Sequence, residues 1–300
     1  MDSTAAEISE TPVVRFREKA LSYVELTKPR IAFMLLLTSA AGFLLGSSGA
    51  FDYGLFANAM IGIALLAFGV ATLNQYVERN IDGLMERTAA RPLPSGRLTS
   101  TEALVFGGLL CAVAEVYFYF LVNPLTAALG VIVIVGYVLL YTPLKTRTSA
   151  STAIGAIPGA MPPLMGWTAA ANDVTLGAWS LFVILFLWQF PHFLAIAWMY
   201  REQYAKAGIK MLPVLEPAGK ITARQIVSFS FMLLAASLAP FFLQIVGPIF
   251  LVGATLLGLW FFYESVKAAR AKSVEKARRL LLVSVIYLPL LFGLLVLTRL

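Results

Sequence analysis

The chain has 300 residues, of which 59% are hydrophobic and only 13% charged, with a formal net charge of +7. Soluble domains average about 45–50% apolar and about 25% charged residues, so a soluble enzyme, a disordered chain and a nucleic-acid-binding domain are excluded. One cysteine, Cys111, permits no internal disulfide, and one histidine, His192, leaves little for a histidine metal site.

The first 28 residues are polar and lack the apolar run and small-residue cleavage site of a secretory signal. Arg15, Arg17 and Lys19 fit a short amphipathic helix on the membrane surface, or a solvated tail. Nine stretches then reach the roughly 20 apolar residues that a spanning helix requires. They are 31–49, 55–77, 101–121, 124–143, 150–171, 175–199, 225–246, 248–266 and 280–298. The fifth carries Pro158, Pro162 and Pro163, so a kink or break is expected there. Residues 1–300 thus read as a single all-α, polytopic membrane domain.

Charge tests that count. With the N-terminus inside, every Lys and Arg except Arg299 falls on the inner side. One helix more or fewer would scatter these charges to both faces. The positive-inside bias therefore predicts nine helices, N-in and C-out. The connections after the second and sixth stretches are long and charged, which directs function to the inner face.

Three constellations carry chemistry. The first is NQYVERNIDGLMERTAARPLPSGR, residues 74–97. Asn74, Glu78 and Asp82 recur every four residues, which lines three oxygen ligands along one helix face. Oxygen donors of this kind suit Mg²⁺, which commonly bridges carboxylates to substrate phosphates. Arg87 and Arg91 follow with the same spacing, and guanidinium forks match phosphate oxygens. The stretch reads as a metal–diphosphate site, or else as a salt-bridged loop. The second is Tyr141-Thr-Pro143-Leu-Lys145, where Lys145 is either an anion ligand or a snorkelling interface lysine. The third holds Gln189 and His192 within an apolar helix, followed by Glu202, Lys206 and Lys210. A polar group in a spanning helix is a functional candidate, against the alternative of a satisfied packing residue. Glu202 offers a second metal ligand, Lys206 and Lys210 further anion contacts, or all three are ordinary interface charges. Glu115 lies toward the outer side and is expected to hydrogen-bond between helices, with Tyr117 or Tyr119 near in sequence. No phosphate-binding glycine loop, paired histidines or cysteine pair accompanies these groups.

Residues 74–97, 141–167 (YTPLKTRTSASTAIGAIPGAMPPLMGW) and 188–213 (WQFPHFLAIAWMYREQYAKAGIKMLP) together resemble the intramembrane aromatic prenyltransferases, and within them the protohaem IX farnesyltransferase (haem O synthase) family. The Asn-x-x-x-acid pattern marks the superfamily; RPLPSGR, AIPGAMPPLMGW and WQFPHF mark the haem branch. Asn80 and Gln203 stand where many relatives carry Asp. The resemblance implies a helical bundle around a central cavity open to lipid. It implies transfer of the farnesyl group of farnesyl diphosphate to a vinyl group of haem B, with addition of water, giving haem O. Haem B is then a substrate and Mg²⁺ the cofactor. Asn74, Glu78 and Asp82, with Glu202, would hold the metal, and Arg87, Arg91, Lys145, Lys206 and Lys210 the diphosphate. His192 would serve the haem or move a proton. Partners would be the two substrates, membrane lipid and the enzyme that converts haem O to haem A, with no nucleic acid. The expected location is a bacterial inner membrane, with the site facing the cytoplasm. Competing readings are a quinone-precursor acceptor in the same superfamily and a secondary transporter. The one-sided polar clusters disfavour the transporter.

Overall fold

A computed structural model describes residues 12–300, with side chains from residue 17 onward. The expectations for residues 1–11 and for the Arg15 side chain lie outside it. The helices in chain order are α1 Pro12–Leu26, α2 Pro29–Gly46, α3 Tyr53–Asp82, α4 Glu86–Ala89, α5 Ser100–Leu121 and α6 Pro124–Ile134. A π-helical stretch, Val135–Tyr141, continues α6 into α7 Thr142–Leu144. There follow α8 Ser151–Gly159, α9 Met161–Ala171, α10 Leu176–Met199, α11 Arg201–Lys206 and α12 Leu212–Leu215. The last are α13 Lys220–Ser237, α14 Ala239–Phe242, α15 Pro248–Ala271 and α16 Val274–Leu297.

Among the described residues, eight uninterrupted helical runs are long and apolar enough to cross a membrane. The chain is a multi-pass, all-helical membrane protein. The stretch at 150–171 is different. It folds as two shorter helices, α8 and α9, parted at Ala160. Pro162 and Pro163 explain the break: two adjacent residues without N–H groups are best placed in a first turn, where no intrahelical partner is needed, and α9 starts anew just before them. Neighbours in sequence pack in turn, α2 on α3, then α5, α6, α8, α10, α13, α15 and α16, and α16 returns to α2. This closes a ring, and α9 packs within it against α2, α3, α6 and α10. Every side chain from Met161 to Ala169 is buried. The α2–α9 approach is close because both helices present glycine. A Cβ on Gly42 would overlap Pro163 O, and one on Gly166 would overlap Ser39 O.

Two features position the inner end. With 30 residues, α3 rises about 45 Å, well beyond the about 30 Å hydrocarbon layer. It therefore extends five residues past the expected 55–77 stretch and carries Glu78 and Asp82 on its last turns. The helix α1 is not free on a lipid surface: Tyr23 and Leu26 pack with Tyr76, Leu93, Leu98 and Ala103, and Lys19 pairs with Glu102.

Candidate active site: an oxygen stripe matched by three cations

Asn74, Glu78 and Asp82 are all buried on the inner end of α3. Each is met by a cation from a different segment. Lys28 Nζ donates to Asn74 Oδ1 at 2.8 Å. Lys145 Nζ donates to Glu78 Oε1 at 2.5 Å. Arg91 Nη1 donates to Asp82 Oδ2 at 2.7 Å. The second carboxylate oxygens of Glu78 and Asp82 make no hydrogen bond among the described residues. Asn74 also donates from Nδ2 to Thr142 Oγ1 at 3.2 Å, which ties α3 to the end of the α6 run.

Local sequence explains how these cations arrive. Lys28 precedes Pro29, and a residue before proline is pushed out of the helical region. Lys28 takes φ 50° and ψ 59°, ends α1 and turns its ammonium inward. Pro143 lacks the N–H that an α-helix would use. The chain widens to i→i+5 bonding just before it, and Thr142 N and Oγ1 both donate to Tyr137 O. Tyr141 is thereby placed beneath Lys145, with the ammonium 4.3 Å from the ring centroid. Burial, then the nearby Arg91 and Lys145 charges, push the Lys28 ammonium down to about 7 against the pull of Glu78 and Asp82. Burial acts the same way on Lys145, but Glu78 overrides it and holds that ammonium above its ordinary value. An anion delivered beside Lys28 would restore its charge.

Lys28 was not among the site residues expected from sequence, where it reads as one topogenic charge among many. The turn at Lys28-Pro29 was the available signal. Of the residues that were expected, Asn74, Glu78, Asp82, Arg91 and Lys145 come together. Arg87 lies on the rim: its guanidinium donates to Tyr204 OH at 3.3 Å and covers the Tyr200 ring at 5.0 Å. Its backbone N–H donates to Gln203 Oε1 at 3.4 Å. Lys210 joins through its backbone, N–H to Lys145 O at 2.7 Å. The side chains of Glu202, Lys206 and Lys210 are exposed, and no three Asp, Glu, His or Cys residues gather into a metal-holding group among the described residues. His192 is engaged with α16, through Ser284 at 2.8 Å. Gln189 donates to Ala156 O at 3.0 Å and is a packing residue. Glu115 departs from expectation. Tyr117 donates to Asn58 instead, and both Glu115 oxygens lie buried against Gly130 with no hydrogen-bond partner among the described residues.

The donor set fits a hard cation. Two carboxylates and an amide share one stripe, two carboxylate oxygens are open, and Mg²⁺ ordinarily takes one or two carboxylates plus phosphate oxygens. Residues 35–292 match the UbiA prenyltransferase family. The chain is 49% identical over 286 residues to protoheme IX farnesyltransferase of Solibacter usitatus, covering 92% of this chain and 98% of that one. It is 44% identical to the protein of the same name from Salinibacter ruber, covering 91% and 96%. Among solved structures, a digeranylgeranylglyceryl phosphate synthase superposes with TM-score 0.76 at 19% identity, over 94% of this chain and 98% of that one. A UbiA homologue from Archaeoglobus fulgidus bound to GPP and Mg²⁺ superposes with TM-score 0.66 at 16% identity, over 91% and 99%. The chain belongs to the UbiA prenyltransferase family, among its protoheme IX farnesyltransferase members.

Proposed function

We propose that the chain transfers the farnesyl group of farnesyl diphosphate to a vinyl group of haem B, with water adding and diphosphate leaving, to form haem O. The observation that carries this reading is the buried Asn74–Glu78–Asp82 stripe, cation-matched at every position, in a chain 49% and 44% identical to two protoheme IX farnesyltransferases.

Asn74, Glu78 and Asp82 would hold Mg²⁺, which when bound neutralises charge on the departing diphosphate. The same oxygens now hold Lys28, Lys145 and Arg91. Lys28, Lys145 and Arg91 would turn their N–H groups to the phosphate oxygens, where negative charge grows as the C1–O bond breaks. Arg87, Lys206 and Lys210 stand outside this cluster and draw the anion in, and Glu202 is the acid of that second loop. Breaking the bond leaves an allylic cation at C1. The Tyr141 ring face already receives an ammonium, so it can receive a carbocation. Tyr137 packs edge-on against it, centroids 4.9 Å apart, and helps exclude water. The vinyl carbon attacks C1, and water quenches the new cation beside the porphyrin and gives up a proton.

In this reading the broken α8–α9 pair is the ninth crossing. The N-terminus lies inside and the C-terminus outside a bacterial inner membrane, and the site faces the cytoplasm. The test is incubation of membranes containing the protein with haem B, farnesyl diphosphate and Mg²⁺, with products resolved by chromatography and mass. A haem O peak that vanishes with EDTA and in Asp82→Ala is expected. Prenylation of an aromatic quinone precursor in its place would overturn the acceptor and keep the family.

A further inference from the structure

His192 lies seven residues before the end of α10, about 10 Å from its inner end. Glu78 lies four residues before the end of α3, about 6 Å from its own. Both residues lie in the inner-end turns of their helices, and the histidine ring is fixed from two sides. Trp188, one turn earlier, stacks on it with centroids 4.5 Å apart and planes 24° apart. The same tryptophan donates from Nε1 to Ser284 O at 2.9 Å, locking α10 to α16.

The hydrogen bonds decide which ring nitrogen carries the proton. His192 Nδ1 is 2.8 Å from Ser284 Oγ. Ser284 has one hydroxyl proton, and its oxygen lies 2.6 Å from Leu281 O. A carbonyl only accepts, so the hydroxyl donates there and accepts from His192 Nδ1–H. Nε2 therefore holds the lone pair, and it makes no hydrogen bond among the described residues. A ring with one N–H anchored and the other nitrogen bare is the arrangement of metal-ligating histidines. Yet among the described residues no group of three His, Cys, Asp or Glu gathers to complete a protein metal site. A metal bound here must bring its remaining ligands with it, and a metalloporphyrin does so, with four ring nitrogens and open axial positions.

We infer that His192 Nε2 is an axial ligand to the iron of the haem acceptor, with Ser284 and Trp188 as positioning residues. The inference rests on the haem-acceptor reading above. It assigns the site a preference for the iron-bearing porphyrin over the free macrocycle, although both present the same vinyl and carboxylate groups.

The test is equilibrium titration of the protein in lipid nanodiscs, without farnesyl diphosphate, with haem and separately with iron-free protoporphyrin IX. The wild type is expected to bind haem about tenfold or more tighter than protoporphyrin, with an imidazole-ligated spectrum. His192→Ala should lose that margin with protoporphyrin affinity unchanged, and added imidazole should restore the spectrum. Ser284→Ala should weaken haem alone, by no more than that margin. Should the alanine variant fail to fold, His192→Cys provides the second reading, because the spectrum should change to that of thiolate ligation. Equal affinity for the two porphyrins, or a haem spectrum indifferent to His192, overturns the ligation while leaving haem as acceptor. Failure of a folded protein to bind either porphyrin overturns both readings.

Discussion

Lys145→Met isolates the Glu78–Lys145 pair. The two side chains are 2.5 Å apart, and only 17% and 9% of Lys145 and Glu78 is exposed. Removing one member of so buried a pair leaves a carboxylate without compensation, at a cost of about 3–5 kcal/mol. For a chain of 300 residues, an unfolding entropy of about 2.1 cal/mol/K per residue makes 1 kcal/mol about 1.6 °C in midpoint, so thermal unfolding in detergent should fall by about 5–8 °C. Turnover should drop about 100- to 1,000-fold, as when one donor to a developing oxyanion is removed. The double variant Glu78→Gln/Lys145→Met separates these effects. With no charge left unpaired, its stability should return to within about 1 kcal/mol of the wild type, whereas turnover should stay at or below that of the single variant. A single variant that melts with the wild type would refute the argument that the pair is buried and coupled. So would a double variant as unstable as the single one.

Further expectations follow from other contacts. Lys28→Met should raise the KM for farnesyl diphosphate about tenfold, the loss of one charged hydrogen bond, with the fold intact by circular dichroism. Gly166→Ala should abolish accumulation of folded protein, because the added carbon meets the Ser39 carbonyl; Gly108→Ala, with nothing within 4 Å, should melt as the wild type does. Glu115→Gln should leave stability equal or raise it by about 1 kcal/mol, since neither carboxyl oxygen has a partner to lose. A fall in midpoint there would mean that the carboxylate is paired.

How much of this was legible depended on the range of the interaction. Eight of the nine expected spans, the α8–α9 break and the oxygen stripe follow from apolar run length, proline chemistry and the four-residue spacing, all local. Lys28 was not legible as a site residue, because its contact with Asn74 spans 46 positions and rests on a left-handed turn that sequence marks only by the following proline. The π-helical stretch was equally hidden. Pro143 signals that something must yield, but not that the helix widens before it. Glu115 looked like a hydrogen-bonding acid because tyrosines adjoin it in sequence; in three dimensions it meets Gly130, and Tyr117 turns to Asn58.

The second inner connection has one further consequence. Met85, Ala197, Tyr204, Ala207 and Ile209 form a small apolar cluster beyond the end of α3. It is fastened to the first connection at Arg87 and to the strap after α7 at Lys145. Beneath this ceiling Asp82 is 1% exposed. A molecule arriving from water meets polypeptide, whereas one dissolved in the bilayer meets the sides of the helices. For a substrate that reaches the site through the bilayer, delivery would be a two-dimensional search, and the saturating concentration would be a mole fraction in lipid. Rates measured at fixed bulk molarity should fall as inert phospholipid is added, by dilution within the surface alone.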